Sequence, residues 1–370
     1  MSPSPAPGRI SMSGLLLAAG AAVVLAGSMG ARQHRATGDV ATARVRVDTA
    51  PALLASLRRG DYSRQFRIGS LSGPDALGLV ESVALDEKGR FYVLDSRNHR
   101  LRMYGPGGDL LHETGGEGQG PGEFGDPEDL ALDRNGRLLV ADRNRRVSIF
   151  RPIGDSLRYE HQFRIGGTPW DTCVLGDRLV VQAIRHGDWT IIDVYDLEGN
   201  RLRSFGEMSP GRTLIERETF SWGNVACLAD DRVLYVPRHS NRIALYTVEG
   251  ERLWQAEMPN YRPVTVEELS GKRRSFRWTS PEGTHGALRV VPLPGGEVAA
   301  VHLGVRDTAS TGPHDVQRRR TLFYDIGTGD LLWNGVDVPP LAGASAGRFL
   351  AIRQLPYPTV TAYRLDTRGR

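Results

Sequence analysis

The chain has 370 residues, with 47 Lys and Arg against 43 Asp and Glu and a formal charge of +4. Lys88 and Lys272 are the only lysines, so the basicity reads as an arginine-rich composition almost balanced by acids. It is not a phosphate-binding design, and no nucleic-acid partner is expected. The length allows one large domain or two smaller ones, and 44 Gly with 22 Pro suit a turn-rich chain.

Residues 1–31 carry one charge, Arg9, and an apolar run from Leu15 to Ala26 followed by small residues. That order describes a secretory signal peptide and predicts export to the periplasm or the extracellular space. The alternative is an uncleaved anchor over residues 10–31, just long enough to span a bilayer; membrane contact is expected only in that case. No Cys follows the apolar core, so a lipoprotein anchor is not expected. Residues 32–61 read as a flexible linker rich in Arg and Ala.

From residue 83 onward a repeat emerges. Val83-Ala84-Leu85-Asp86-Glu87-Lys88-Gly89-Arg90-Phe91-Tyr92-Val93-Leu94-Asp95 returns as Leu130-Ala131-Leu132-Asp133-Arg134-Asn135-Gly136-Arg137-Leu138-Leu139-Val140-Ala141-Asp142. Each copy is a short apolar strand, an Asp-x-x-Gly turn and a second strand ending in Asp. A third strand follows, at Arg100–Tyr104 or Arg146–Phe150. Gly-Arg and Asp-Arg turns recur at 177–178 and 231–232, with weaker echoes at 295–296 and 347–348, and six units result. The sixth lacks a fourth strand. Arg64-Gln65-Phe66-Arg67-Ile68-Gly69 resembles the fourth-strand ending Gln162-Phe163-Arg164-Ile165-Gly166-Gly167 and is expected to complete it, removing an exposed sheet edge.

The wording of Pro121-Gly122-Glu123-Phe124, Pro127-x-x-Leu130-Ala131-x-Asp133, Gly136-Arg137-Leu138-x-Val140-Ala141-Asp142 and Asn98-His99-Arg100 resembles the NHL repeat of six-bladed β-propellers. The likeness is specific over residues 80–150 and fades downstream. It implies an all-β, six-bladed β-propeller of four-stranded antiparallel blades over residues 62–370, ring-closed by an N-terminal strand and of the exported bacterial type. Because the family is diverse in function, it implies little about activity.

Several local patterns fail their context. Gly343-Ala344-Ser345-Ala346-Gly347 fits G-x-S-x-G but leads into a strand, not a helix. The run Gly115–Gly122 has no following helix and no lysine, so it is not a nucleotide loop; the NHL resemblance implies a connection between blades. Nine His show no H-E-x-x-H spacing, which leaves a local zinc site unsupported. Asp95 and Asp142 are expected to accept hydrogen bonds from turn N–H groups, and His99 to be structural. Cys173 and Cys227 are assigned one repeat position, a core position, and are expected as buried thiols; the alternative is a bridge between blades three and four.

Two features carry functional expectations. Aligning strand entries places Glu81, Glu128, Asp171 and Asn224, with His285 a looser match, around the mouth of a central channel. Gathered carboxylates and amides suit calcium, so no cofactor is expected except calcium there. The expected architecture resembles gluconolactonase- and paraoxonase-like propellers, which implies a metal-dependent, lactonase-like hydrolase or lyase as the alternative; the competing explanation is a merely wet rim. The other feature is a set of long loops in blades three to five: Glu207–Gly223, Pro259–Thr284 and Val305–Arg319. They hold Phe220, Trp222, Tyr261, Arg274, Phe276 and Trp278, residue types favoured at binding hot spots, and a short helix is expected around Val266–Leu269. The leading reading is a non-enzymatic, monomeric binding or scaffold module. Its partner would be a protein, a glycan or a small molecule; catalytic residues are not assigned.

Overall fold

The Asp-x-x-Gly-Arg turns are built by their own first residue. In the computed structural model, which describes residues 50–366 apart from 186, 270–274, 307–317, 337 and 346, the Asp86 carboxylate accepts hydrogen bonds from the backbone N–H of Lys88 and Arg90 at 3.0 and 2.9 Å, and from Arg90 Nε at 2.8 Å. Asp133 repeats this with Asn135, Arg137 and the Arg137 side chain. Gly89 and Gly136 each adopt φ +78°, a conformation that disfavours any side chain. The carboxylate thus supplies acceptors that a two-strand turn would otherwise lack, and the motif becomes a hairpin.

Six hairpin-built sheets follow around a ring. A helix α1 (Ala50–Arg59) and strand β1 (Tyr62–Ile68) precede blade one, β2 (Val80–Leu85), β3 (Phe91–Asp95), β4 (Arg100–Tyr104) and β5 (Leu110–Gly115). Blade two is β6 (Pro127–Leu132), β7 (Leu138–Asp142), β8 (Arg146–Ile153) and β9 (Ser156–Arg164). Blade three is β10 (Asp171–Leu175), β11 (Arg178–Gln182), β12 (Thr190–Asp196) and β13 (Arg201–Glu207), and helix α2 (Leu214–Ser221) leads to blade four. That blade is β14 (Gly223–Leu228), β15 (Arg232–Pro237), β16 (Arg242–Thr247) and β17 (Arg252–Glu257). A separate hairpin, β18 (Thr265–Leu269) and β19 (Ser275–Thr279), precedes blade five, β20 (His285–Pro292), β21 (Val298–Val305), β22 (Arg318–Asp325) and β23 (Leu331–Gly335). Blade six is β24 (Leu341–Ser345), β25 (Arg348–Arg353) and β26 (Thr359–Leu365), and β1 adds its fourth strand in the order β1-β26-β25-β24. The register sets Arg67 opposite Thr361 and Ile68 opposite Val360, so the strand expected at Arg64–Gly69 does close the ring.

The second strands read as unbroken apolar runs because they are buried on both faces. In β7, Leu138 and Val140 pack towards blade one, whereas Leu139 and Ala141 pack towards blade three. The same alternation in β15 sends Val233 and Tyr235 to blade three and Leu234 and Val236 to blade five. Outer strands such as β5 and β17 hold only half-buried and exposed residues. The core is therefore six interblade layers, one between each pair of neighbours. Asp142 accepts the expected turn N–H, from Asn144, whereas Asp95 accepts the Asn98 side-chain amide there; both also accept N–H groups of the preceding connection, from Gly78 and Leu79 and from Gly125 and Asp126.

Three expectations are corrected. The stretch expected as a linker, 32–61, contains α1, whose Ala50, Leu53, Leu54 and Leu57 are buried against blades five and six; its Leu spacing makes one apolar face. Val266–Leu269 is a strand, not a helix. β-Branched Thr265 and Val266 suit a strand, and β19 supplies a partner that sets Glu267 opposite Arg277.

The third correction concerns the cysteines: Cys173 and Cys227 form a disulfide with Cα atoms 5.5 Å apart. They do not share a repeat position. Cys173 lies opposite Val180 and Cys227 opposite Val233, and both valines belong to the layer between blades three and four. Alternate strand residues face opposite ways, so a one-residue offset turns the two sulfurs towards each other.

Candidate functional site at the channel mouth

The inner strands meet at a cavity of about 310 Å³ lined by Glu81, Glu128, Asp171 and Asn224, together with Asp129, Trp170, Arg238 and Arg289. The four residues aligned by sequence thus converge, but they occupy two different registers. Glu81 sits where the β2–β3 pairing slips between Val80 and Ser82, and Glu128 where β6–β7 slips between Pro127 and Asp129. Each is the extra residue of a β-bulge, outside the ladder and turned to the cavity. Asp171 and Asn224 lie in unbroken ladders, opposite Gln182 and Val236.

The equivalent ladder positions in blades one, two and five are Ser82, Asp129 and Arg289, opposite Leu94, Ala141 and His302. These five side chains stitch one blade to another. Ser82 Oγ donates to Leu130 O at 3.4 Å, and Asp129 accepts from Thr172 N and Oγ1, both at 2.7 Å. Asp171 accepts from Val225 N at 2.9 Å, and Asn224 Nδ2 donates to Ala287 O at 3.3 Å. Arg289 donates to Glu81 O across blade six. An inner strand has no sheet neighbour on its channel side, so these contacts satisfy backbone groups that the ladder leaves over.

Burial raises the acids of both sets. Burial, and then the neighbouring Asp129, hold the Asp171 carboxyl well above the usual carboxylate range. Burial pushes Glu128 up to about 7, helped by Glu81, while Arg143 at 3.7 Å opposes it. Glu81 is raised by burial against the pull of Arg289 and Arg238. The site is thus a set of proton-retaining acids facing guanidinium groups. Among the described residues, no three or more His, Cys, Asp or Glu side chains are grouped to hold a metal ion.

The loop residues divide as well. Trp222 caps the C-terminus of α2 and stacks on Trp170, with centroids 4.6 Å apart; Arg143 lies 4.7 Å from the Trp170 ring. The helix is placed by buried Gln182, whose Nε2 donates to Ser221 O at 2.9 Å, and by the Tyr235 hydroxyl on the same carbonyl. Phe220 is half-buried in α2. Tyr261 is half-buried: burial raises its phenol well above the ordinary value, and its hydroxyl donates to Arg238 O at 2.5 Å and lies 3.1 Å from His285 O. Tyr261 therefore fixes the backbone of Arg238, which reaches the cavity. Phe276 and Trp278 are placed only as backbone in β19, and Arg274 lies outside the described residues.

His285 accepts from Arg262 N at the strand entry and does not line the cavity. The blade-five position in the stitching register is Arg289, four residues later. Arg143, Trp170, Arg238 and Arg289 were not singled out in the sequence. Only Trp170, next to Asp171, carried a local signal.

Residues 77–104 match the NHL repeat, and the chain is a six-bladed β-propeller carrying that repeat. No curated protein matches it. Among solved structures, a Bacteroides fragilis protein assigned to export is 10% identical, with a TM-score of 0.52 over 87% of this chain and 97% of that one. A member of the DUF4221 family from Bacteroides vulgatus is 7% identical, with a TM-score of 0.54 over 82% of this chain and 97% of its own. At such identities the likeness is one of fold.

Proposed function

We propose that the protein is an exported binding module whose ligand is a small polar molecule held at the channel mouth. The observation that carries this reading is the convergence of bulged Glu81 and Glu128 with Arg238 and Arg289 on one cavity of about 310 Å³. Its size falls in the range of small-ligand sites (roughly 300–1,000 Å³), and hydrogen-bonding groups of both signs suit a sugar, hydroxy acid or amino acid. The long loops then position the site, α2 through Trp222 and the hairpin segment through Tyr261. Export is supported by the N-terminal signal-like run and by the Cys173–Cys227 bridge, since stable disulfides belong to oxidising compartments.

Calorimetry against a panel of sugars, hydroxy acids and amino acids tests the reading. A ligand is expected whose affinity falls about tenfold in Glu128→Gln, the usual loss for one hydrogen bond to a charged or buried partner. If no panel member binds and stoichiometric calcium or zinc copurifies, lost in Glu81→Gln/Glu128→Gln, the metal-dependent hydrolase or lyase replaces it.

A further inference from the structure

Beside the main cavity lies a recess of about 90 Å³, bounded by Arg238, Arg289, Arg319, His302, Gln354 and Glu81. Its remaining walls are apolar residues of blades one, five and six. Three of its groups are guanidinium ions. The lone acid of the lining, Glu81, is reluctant to ionise because it is buried. Positive charge held away from water is costly unless paired, and the described residues satisfy these arginines only in part. Arg289 donates one N–H to Glu81 O, and Arg319 donates to Ile352 O at 3.4 Å. Gln354 is committed elsewhere, with Nε2 on Val80 O at 2.6 Å.

His302 supplies the second, independent observation. It is 3% exposed, its Nδ1 lies 2.7 Å from Thr321 Oγ1, and its Nε2 has no hydrogen-bond partner among the described residues. Buried polar atoms are rarely left so. Burial, with Arg289 and Arg319 nearby, depresses the imidazole to about 3, so it is neutral at physiological pH. In the tautomer whose Nδ1 accepts from the Thr321 hydroxyl, the proton resides on Nε2, which becomes a donor. His302 is set opposite Arg289 by the β20–β21 register, beyond the slip between Ala287 and Arg289.

We propose that this recess is an oxyanion subsite, which receives a carboxylate or phosphate group of the ligand bound at the channel mouth. Guanidinium forks match the paired oxygens of such groups, and His302 Nε2–H adds a neutral donor from the floor. The inference rests on the small-ligand reading above and narrows it to acidic ligands, such as a sugar acid, an amino acid or a phosphorylated sugar. Glu81 and Glu128 then face the ligand's hydroxyl or amino groups.

The test titrates the whole protein with acetate and with inorganic phosphate, each against sodium chloride at equal ionic strength. The readouts are melting temperature and the His302 imidazole signals in NMR. At least one oxyanion is expected to give a saturable rise in melting temperature and a shift of the His302 signals beyond those of chloride. Which one does so separates carboxylate from phosphate. Arg319→Met and His302→Phe are each expected to weaken that binding at least tenfold, with the anion-free melting temperature showing that each variant folds. The proposal is overturned if neither anion exceeds chloride, or if both variants bind within twofold of the parent. A neutral sugar that binds through Glu128 while neither anion does would retain the channel-mouth reading and remove only the subsite.

Discussion

Glu128 shows how one side chain's position changes its chemistry. As a bulge residue it leaves the ladder, and burial beside Glu81 raises its carboxyl to about 7. The folded state therefore holds a proton on Glu128 between pH 4.5 and 7 that the unfolded chain releases. That contribution to stability is fully present below about 4.5 and is lost as pH rises through 7. Glu128→Gln removes the dependence. The variant's stability relative to the parent is expected to improve by up to about 3 kcal/mol from pH 4 to pH 8. Urea unfolding at the two pH values measures this, and a difference that stays constant with pH would contradict the assignment. A carboxylate at a strand entry was legible in the sequence. Its bulge was not, because the slip depends on pairing with β7.

At the scale of elements, the disulfide and α2 illustrate signals of opposite legibility. The bridge joins β10 to β14 across 54 residues. Reducing it, or replacing both residues by Ala, is expected to lower stability by about 2–4 kcal/mol. Urea midpoints with and without reductant measure the loss, and identical midpoints would show that the bridge does not constrain the unfolded chain. The one-residue offset that makes the bridge is invisible without the blade registers. Helix α2, by contrast, begins with a readable pattern. Thr213 accepts from Glu216 N at 3.2 Å while Glu216 accepts from Arg212 N at 2.6 Å, a close relative of the Ser/Thr-x-x-Glu capping box. The hairpin β18–β19 lacked such a mark, since Val266–Leu269 suits either a helix turn or a strand until β19 is in place.

For the whole molecule, closure is the controlling feature. β1 comes from one end of the propeller segment and β24–β26 from the other, so the last interblade layers form only when both ends have met. Deleting residues 62–68 is expected to lower the melting temperature of the entire domain and expose β26 as an edge. Calorimetry of the shortened chain provides the check, with unchanged melting as the contrary result. Closure also places the candidate site, because Arg289 of blade five reaches Glu81 of blade one only around a complete ring.

By itself, the sequence determined the repeating unit. Asp86 and Asp133 wire their own turns, β-strand alternation is local, and the likeness of Arg64–Gly69 to a fourth strand identified the closing element. The turns and the alternation depend on residues within a few positions of one another, and the closing strand was read from its likeness to another strand. Only the tertiary structure decided which polar residues serve the fold and which face the cavity. Ser82, Asp129, Asp171, Asn224 and Arg289 share a register and tie blades together, whereas Glu81 and Glu128 are displaced from it by bulges. Arg238, just past the second strand of blade four, and His302 and Arg319, on the second and third strands of blade five, gather beside them. Their approach is set by the packing of interblade layers around the ring, a distance that no spacing along the chain encodes.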